Sequence, residues 1–232
     1  MKPLSSAALL ACLVAAATAL AGPAAPALPQ DAPVPKELEG KGKKTYQIGS
    51  PIPSSLKLPD LDGKERRVFP EESEPIVVLA WWSLRDPLCR KAEPKLVKLA
   101  ADYARHGVSL YLVESNYDEL VAGVGDPLDK VKKFRKDAKL KLPLLIDRGN
   151  KVADDFDALS SNQVFVIDKA RVLRYSGAID NDPESRLRDE ARVDYLRDAL
   201  EAILDGKPVE NALTRAKGRK LKRERKPEAA TK

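Results

Sequence analysis

Cysteine, histidine and aromatic residues are scarce in this chain of 232 residues. Its two Cys and one His argue against structural zinc, iron–sulfur clusters and histidine-based catalytic triads, because the required ligands or bases are missing. Aromatic residues make up only 5% of the chain, which argues against a stacking surface for single-stranded nucleic acid. We therefore predict a protein that holds no metal and no cofactor and does not bind nucleic acid.

The basic residues are concentrated at one end of the chain. Lys and Arg number 41 against 35 Asp and Glu, which gives a formal net charge of +6. Residues 213–232 contain nine basic and two acidic residues, an excess of seven, which leaves −1 for the other 212 residues. Residues 211–232 are therefore predicted to be a disordered basic tail on a near-neutral body. Such a tail is usually only solvated, and the alternative is attachment to an anionic surface of the cell envelope.

The N-terminal residues have the pattern of a secretory signal peptide. Lys2 is followed by an uncharged run up to residue 30, with an Ala/Leu-rich centre and Ala19-Leu20-Ala21 as a small-residue cleavage site. We expect residues 1–21 to be removed, so that the protein is exported to the periplasm, the cell envelope or the exterior without a transmembrane span. The alternatives are an uncleaved anchor helix, which so much alanine disfavours, and lipidation at Cys12, which too little apolar sequence precedes.

Removal of the signal peptide would leave a proline-rich linker and a single thiol. Residues 22–44 contain five prolines, which favour extended polyproline II and prevent a helix. Because Cys12 is lost with the signal peptide, Cys89 is the only cysteine of the exported chain. A protein with one thiol cannot form an internal disulfide in an oxidising compartment.

The body, residues 45–210, alternates segments with the patterns of strands and helices. Asp62-Gly63 between short alternating runs predicts a hairpin, and Asp86-Pro87 predicts the start of a helix that Gly107 ends. Apolar runs predict strands over residues 75–82, 108–113, 142–147, 164–168 and 172–175. Further helices are predicted over residues 127–139, 150–159 and 193–204. This order indicates an α/β fold with a mixed central sheet flanked by helices.

One segment carries a resemblance to a known family. Residues 77–94, Val-Val-Leu-Ala-Trp-Trp-Ser-Leu-Arg-Asp-Pro-Leu-Cys-Arg-Lys-Ala-Glu-Pro, resemble the active-site strand and helix of thioredoxin-like redoxins. These include the alkyl hydroperoxide reductase/thiol-specific antioxidant superfamily and its exported thiol–disulfide oxidoreductase relatives. The family pattern is an aromatic-rich strand, Cys-Pro-x-Cys at the helix start, and proline five residues after the second cysteine. Cys89 and Pro94 have that spacing.

The resemblance extends over most of the body. Residues 48–53 and 61–64 are similar to the N-terminal hairpin of the redoxins, and residues 165–168 and 177–180 to their closing strands. It therefore covers about residues 46–206. It implies a thioredoxin fold with an N-terminal hairpin extension, and thiol–disulfide exchange or peroxide reduction as the inherited chemistry.

Two positions depart from the family pattern. Asp86 stands where the redoxins have their first cysteine, and the Thr-x-x-Cys of peroxiredoxins falls on Ser83-x-x-Asp86. Asn162 stands where the family has a cis-proline, and because a cis bond before a non-proline residue costs about 2.5–4 kcal/mol, we predict a trans peptide there. The resemblance therefore implies a degenerate active site without the two-cysteine cycle.

Asp86 and Cys89 are the candidate catalytic residues, each with a plainer alternative. Asp86 is predicted to cap the helix by accepting the Cys89 N–H, and its charge should raise the pKa of the Cys89 thiol. Cys89 is then either a monothiol that exchanges with a partner's thiol or disulfide, or a small buried core residue. Asp86 is either a helix cap or a catalytic carboxylate.

A binding groove is predicted beside these two residues. Trp81 and Trp82 point to opposite faces of the strand, so one is core and the other can face the groove. We predict a groove formed by Trp82, Arg85, Ser161 and Asn162. Two functions follow, a residual oxidoreductase that uses Cys89, and a non-catalytic binding protein of the cell envelope that docks a partner in the groove and is positioned by its basic tail.

Overall fold

A small hairpin and a five-stranded sheet form the framework of the protein. The structure, a computed structural model, describes residues 45–70, 75–121, 128–139 and 141–224. Strands β1 (Lys57–Pro59) and β2 (Glu65–Arg67) pair antiparallel around the predicted Asp-Gly turn. The sheet contains five further strands: β3 (Ile76–Trp82), β4 (Val108–Glu114), β5 (Leu144–Ile146), β6 (Val164–Ile167) and β7 (Leu173–Gly177). The predicted segments 1–21 and 22–44 lie outside the described residues.

The sheet is mixed, as the sequence predicts. Its spatial order is β5-β4-β3-β6-β7, with β4 parallel to both β3 and β5, and β6 antiparallel to both β3 and β7. Because β3 and β4 are parallel, their carboxyl ends meet at one edge of the sheet. The start of β6 lies at the same edge, since β6 runs antiparallel to β3.

Helices lie between and after the strands of the sheet. They are α1 (Pro87–Tyr103), α2 (Tyr117–Leu120), α3 (Asp129–Asp137), α4 (Lys151–Asp155) and α5 (Tyr195–Leu204). The predicted start of α1 is confirmed, and the chain leaves it through a short 3₁₀ turn that ends at Gly107. Gly107 has a φ of 74°, the left-handed conformation that favours glycine at the end of a helix. No helix within the described ranges is long and apolar enough to cross a membrane.

Both faces of the sheet are buried, which explains the continuous apolar run of β3. Val78, Ala80 and Trp82 pack in a cluster with residues of α1 and α5 on one face. Val77 and Trp81 pack with the hairpin and α4 on the other face. Since every residue of β3 is buried, its sequence is uniformly apolar and does not alternate between apolar and polar residues.

The basic C-terminal segment is ordered on the body over most of its length. Residues 211–224 have defined contacts, so the prediction of a disordered tail is wrong over this stretch, and residues 225–232 lie outside the described part. We call residues 213–224 the strap. Its beginning pairs with Ser176 of β7, and Lys220 pairs antiparallel with Ser160. The strap thus crosses the sheet edge where β3 ends and β6 begins.

Candidate functional site

Asp86 begins helix α1, and its side chain is buried at the sheet edge. Carboxylate Oδ1 accepts a hydrogen bond from the Leu88 backbone N–H at 2.9 Å. The predicted cap is confirmed, but the predicted donor is wrong. The Cys89 N–H donates instead to the Asp86 backbone carbonyl, at 3.1 Å. Oδ2 accepts from the Ser161 hydroxyl and, at 2.9 Å, from the Arg219 backbone N–H. Three donors therefore hold a carboxylate at the family's first-cysteine position.

Cys89 is the one free cysteine within the described residues, and it is 1% exposed. It lies on the inner face of α1, in the same apolar cluster as Trp82. Burial raises the pKa of the Cys89 thiol above its ordinary value, and the neighbouring Asp86 and Glu114 carboxylates raise it further. The direction is the predicted one, with burial as the larger cause. A buried thiol with a raised pKa is the opposite of an activated nucleophile.

Glu119 is a buried carboxylate that ties α2 to the loop before α1. Its Oε1 accepts from the Ser83 hydroxyl at 2.5 Å, and its Oε2 accepts from the Leu84 backbone N–H at 2.7 Å. The guanidinium of Arg219 reaches the same carboxylate, with Nη1 3.0 Å from Oε1. A second carboxylate, Asp118, lies 2.6 Å from Arg219 Nη2. An arginine side chain from the strap is therefore held between two acids of α2.

Glu114 is buried at the end of β4, directly opposite Trp82 in the β3 register. Its Oε1 accepts from the backbone N–H and the side-chain amide of Asn116, at 2.7 and 2.9 Å. Its Oε2 has no hydrogen-bond partner within the described structure. Burial raises the pKa of Glu114 well above its ordinary value, and the nearby Glu119 carboxylate adds to the effect.

The raised pKa of Glu114 predicts a measurable dependence of stability on pH. An acid with a higher pKa in the folded state stabilises the fold below its unfolded pKa, and this contribution is lost as pH rises through the folded pKa. We therefore expect Glu114→Gln, which cannot ionise, to flatten the decline in stability between pH 5 and pH 9. At pH 9 the variant should be more stable than the natural chain by about 1 kcal/mol, because a buried charge with one unbonded carboxylate oxygen is removed.

Urea unfolding of both chains at the two pH values measures this effect. Glu210→Gln, at an exposed position, serves as the control and should follow the natural chain at both values. A Glu114→Gln chain with the same pH dependence as the natural chain would show that Glu114 has no raised pKa.

Ser161 and Asn162 precede β6 and face the start of α1 and the strap. Ser161 is buried and donates its backbone N–H to the Arg219 carbonyl at 2.9 Å. Asn162 has a φ of 62°, a left-handed conformation that asparagine tolerates, and its N–H donates to the Trp81 carbonyl at 2.8 Å. Its side-chain amide lies 3.5 Å from the Lys217 carbonyl. None of the described peptide bonds is cis, which agrees with the predicted trans bond.

The remaining predicted groove residues have different outcomes. Trp82 is 2% exposed and packs beside Phe134, with ring centroids 6.1 Å apart, so the prediction that it lines a groove is wrong. Trp81 is equally buried on the other face, because the sheet is covered on both sides. Arg85 lies at the rim of the site, where Nη1 is 2.9 Å from Asp118 Oδ2 and the side chain is largely exposed.

The structure thus brings together Asp86, Cys89, Ser161 and Asn162, and adds residues that the sequence analysis missed. The missed residues are Glu114, Glu119 and Arg219, and Ser83, known only from its place in the family pattern, joins them through its bond to Glu119. Glu114 directly follows an apolar strand whose parallel neighbour leads to Asp86, and that juxtaposition is the signal that was available. Arg219 had no local signal, because it sits among basic residues in a segment with the composition of a disordered tail.

The arrangement favours recognition over thiol chemistry. The thiol is buried, the Asp86 carboxylate is fully engaged, and the sheet edge presents to the strap its backbone groups and the acids of α2. Groups of this kind bind an extended backbone and a basic side chain.

Comparisons with known proteins identify what this chain resembles. A sequence profile described as the AhpC/TSA family matches residues 48–176, more than half of the chain. The thiol-disulfide oxidoreductase ResA of Geobacillus thermodenitrificans is 28% identical over 127 residues, which cover 55% of this chain and 67% of ResA. The chloroplastic peroxiredoxin Q of Oryza sativa subsp. japonica is 28% identical over 184 residues, covering 76% of this chain and 78% of its own.

Solved structures agree with the architecture. The crystal structure of an uncharacterized conserved protein from Geobacillus kaustophilus is 25% identical, with a TM-score of 0.66, and the match covers 79% of this chain and 95% of that protein. With the mixed sheet and flanking helices, these similarities confirm the predicted thioredoxin fold.

Proposed function

This chain belongs to the AhpC/TSA family, and we propose that it is an exported member that binds a protein partner and does not turn over thiols. The family's first-cysteine position carries the proposal. There the chain has Asp86, whose carboxylate is buried and accepts three hydrogen bonds. A carboxylate cannot form the mixed disulfide with which a two-cysteine cycle begins.

The remaining thiol gives little support to the alternative, a monothiol oxidoreductase. Thiol–disulfide exchange requires a thiolate that a second protein can reach. Cys89 is buried, and burial together with the Asp86 charge raises the pKa of its thiol. Both properties slow exchange, so family chemistry at Cys89 is the weaker proposal.

Export and positioning are parts of the same proposal. The basic start at Lys2 and the uncharged, Ala/Leu-rich run that follows it support a cleaved signal peptide over residues 1–21. Part of the strap's basic charge is engaged by acids of the body, through Lys217 with Glu184 and Arg219 with Asp118. Exposed side chains such as Arg215 remain for contact with an anionic envelope surface.

A comparison of the natural chain with Cys89→Ser tests this function. We expect neither chain to accelerate the reduction of insulin disulfides by dithiothreitol or the consumption of hydrogen peroxide. We also expect a column of either chain to retain the same protein partner under reducing conditions, because binding does not use the thiol.

Ser54→Cys is the matched control, since it puts an exposed thiol on the same scaffold and reports any nonspecific thiol reactivity in the assays. Turnover by the natural chain that Cys89→Ser abolishes would overturn the proposal in favour of the monothiol. A column that retains no partner at all would also count against it.

A further inference from the structure

The strap lies on the body in the manner of a bound extended peptide. Its beginning pairs with β7, where the Thr214 N–H donates to Ser176 O at 3.1 Å and the Ser176 N–H donates at 2.9 Å to the carbonyl of Ala212, just before the strap. Further along, the Ser161 N–H donates to Arg219 O, and the Leu221 N–H donates to Leu159 O at 3.0 Å. The backbone of the strap is therefore bound first by β7 and then by the segment that precedes β6.

Two glycines allow this close approach. A Cβ at Gly218 of the strap would lie 1.9 Å from the Ser161 carbonyl oxygen. A Cβ at Gly177 of β7 would lie 2.0 Å from Thr214 Oγ1 and 2.8 Å from the Thr214 backbone. Backbone atoms cannot move aside as the end of a flexible side chain can, so any larger residue at Gly218 displaces the strap from Ser161.

Buried polar groups of the body are directed at the strap backbone. Asn116 Oδ1 accepts from the Lys222 N–H at 3.2 Å, and Asn150 Oδ1 accepts from the Glu224 N–H at 2.7 Å. Both asparagines are almost fully buried. Together with Asp86 Oδ2, they form a row of acceptors that suits an extended chain and would lose these partners without one.

Charge gives the site its side-chain preference. Arg219 is the strap residue that enters between Asp118 and Glu119, with nitrogen–oxygen distances of 2.6 and 3.0 Å. The residue before this arginine must be glycine, because a Cβ there would clash with the Ser161 carbonyl. The site therefore favours a Gly-Arg dipeptide within an extended basic segment.

The strap is held mainly by contacts that a competing peptide can also make. Leu221 is its one apolar residue that is fully buried. No backbone hydrogen bond between two strap residues is found in the part of the chain that the structure describes. The strap therefore lacks most of the apolar burial that keeps core strands and helices closed, and its polar and ionic contacts can be exchanged for those of another peptide.

We propose that this groove is a binding site for an extended basic peptide containing Gly-Arg, and that the strap is its ligand within the same chain. A partner segment of that chemistry binds when it displaces the strap. This inference rests on the proposed function, whose partner it names by chemical class.

Peptide binding to a chain with a displaced strap tests the inference. The probe is a fluorescent synthetic peptide of residues 213–224, titrated by anisotropy against the full natural chain and against Gly218→Val. We expect Gly218→Val to bind the peptide at least about tenfold more tightly, because the tethered strap of the natural chain competes at a roughly millimolar effective concentration. A peptide that carries valine in place of its glycine should bind neither chain.

A second variant guards against misfolding of the first. Arg219→Glu places an acid against Asp118 and Glu119 and should likewise open the site to the natural peptide. Arg215→Glu makes the same charge change at an exposed position and should behave as the natural chain. Hydrogen exchange of the strap amides in each chain reports whether the strap has left.

The outcomes separate this inference from the proposed function. If the strap amides exchange freely in both opened variants and the peptide still binds no more tightly, the groove is not a peptide site. Equal binding of a scrambled peptide would reduce the interaction to net charge and also overturn the inference. Thiol turnover in the earlier assays would overturn the proposed function and leave the peptide result standing.

Discussion

Cys89 in the folded chain is expected to react with iodoacetamide at least about a hundredfold more slowly than in the chain unfolded in urea. The thiol is 1% exposed, so the reagent reaches it only when the chain opens. Burial and the adjacent Asp86 also disfavour the thiolate, the form that reacts. Mass spectrometry of the Cys89 peptide between pH 5 and pH 10 gives the rate at this site separately from Cys12.

An internal reference makes this measurement quantitative. Ser54→Cys introduces a thiol at an exposed position before β1, which should react in the folded chain about as fast as an unfolded thiol. Rapid labelling of Cys89 with a pH midpoint below that of the unfolded thiol would reveal an exposed, activated thiolate. That result would restore the monothiol oxidoreductase as the better function.

Asp86→Ala is expected to lower the free energy of unfolding by about 2–4 kcal/mol. The loss of a helix cap accounts for about 0.5–2 kcal/mol of this, and the donors left unpaired in a buried position account for about 1–3 kcal/mol. The capped donor is the Leu88 N–H, and the two further donors left unpaired are the Ser161 hydroxyl and the Arg219 N–H. Urea unfolding followed by the fluorescence of the buried tryptophans measures the change.

Two further variants identify the source of the effect. Asp62→Ala removes an exposed aspartate in the hairpin turn and should change stability by less than about 0.5 kcal/mol. Asp86→Asn keeps an acceptor for Leu88 but presents a second donor to Ser161 and Arg219, so its loss should be intermediate. An Asp86→Ala chain as stable as the natural one would mean that this carboxylate does not hold the site together.

The sequence predicts the elements of the fold well, because their signals are local. The continuous apolar run of β3 reflects burial on both faces, and Asp86-Pro87 marks the start of α1 in a pattern that depends on the first helical turn alone. The mixed central sheet follows from the order of these segments and from the redoxin resemblance. These features need no knowledge of distant parts of the chain.

The site is only partly predictable for the opposite reason. Asp86 and Ser161 could be named from the family pattern, but the segment that joins them could not. Arg219 bonds Asp86 from 133 residues away and reaches Glu119 from 100 residues away. The composition of a segment indicates whether it can form a hydrophobic core. It does not indicate whether buried acceptors elsewhere in the chain will order that segment. The prediction that Trp82 lines a groove was wrong for a similar reason. Strand alternation predicts that Trp81 and Trp82 point to opposite faces of the sheet, but it does not predict whether other elements cover each face.

The position of the strap in chain order has a consequence for biogenesis. Asp86, Asn116, Asn150 and Ser161 all leave the ribosome, or an export channel, before residues 213–224 do. Because the N-terminal parts of a chain are available first during synthesis, a body that folds without the strap would assemble while its row of acceptors is still bare. The proposed groove would then be open for a short interval in a newly made molecule. A partner present at that moment would meet no competing strap, so the first encounter and later encounters with the same protein would differ in rate.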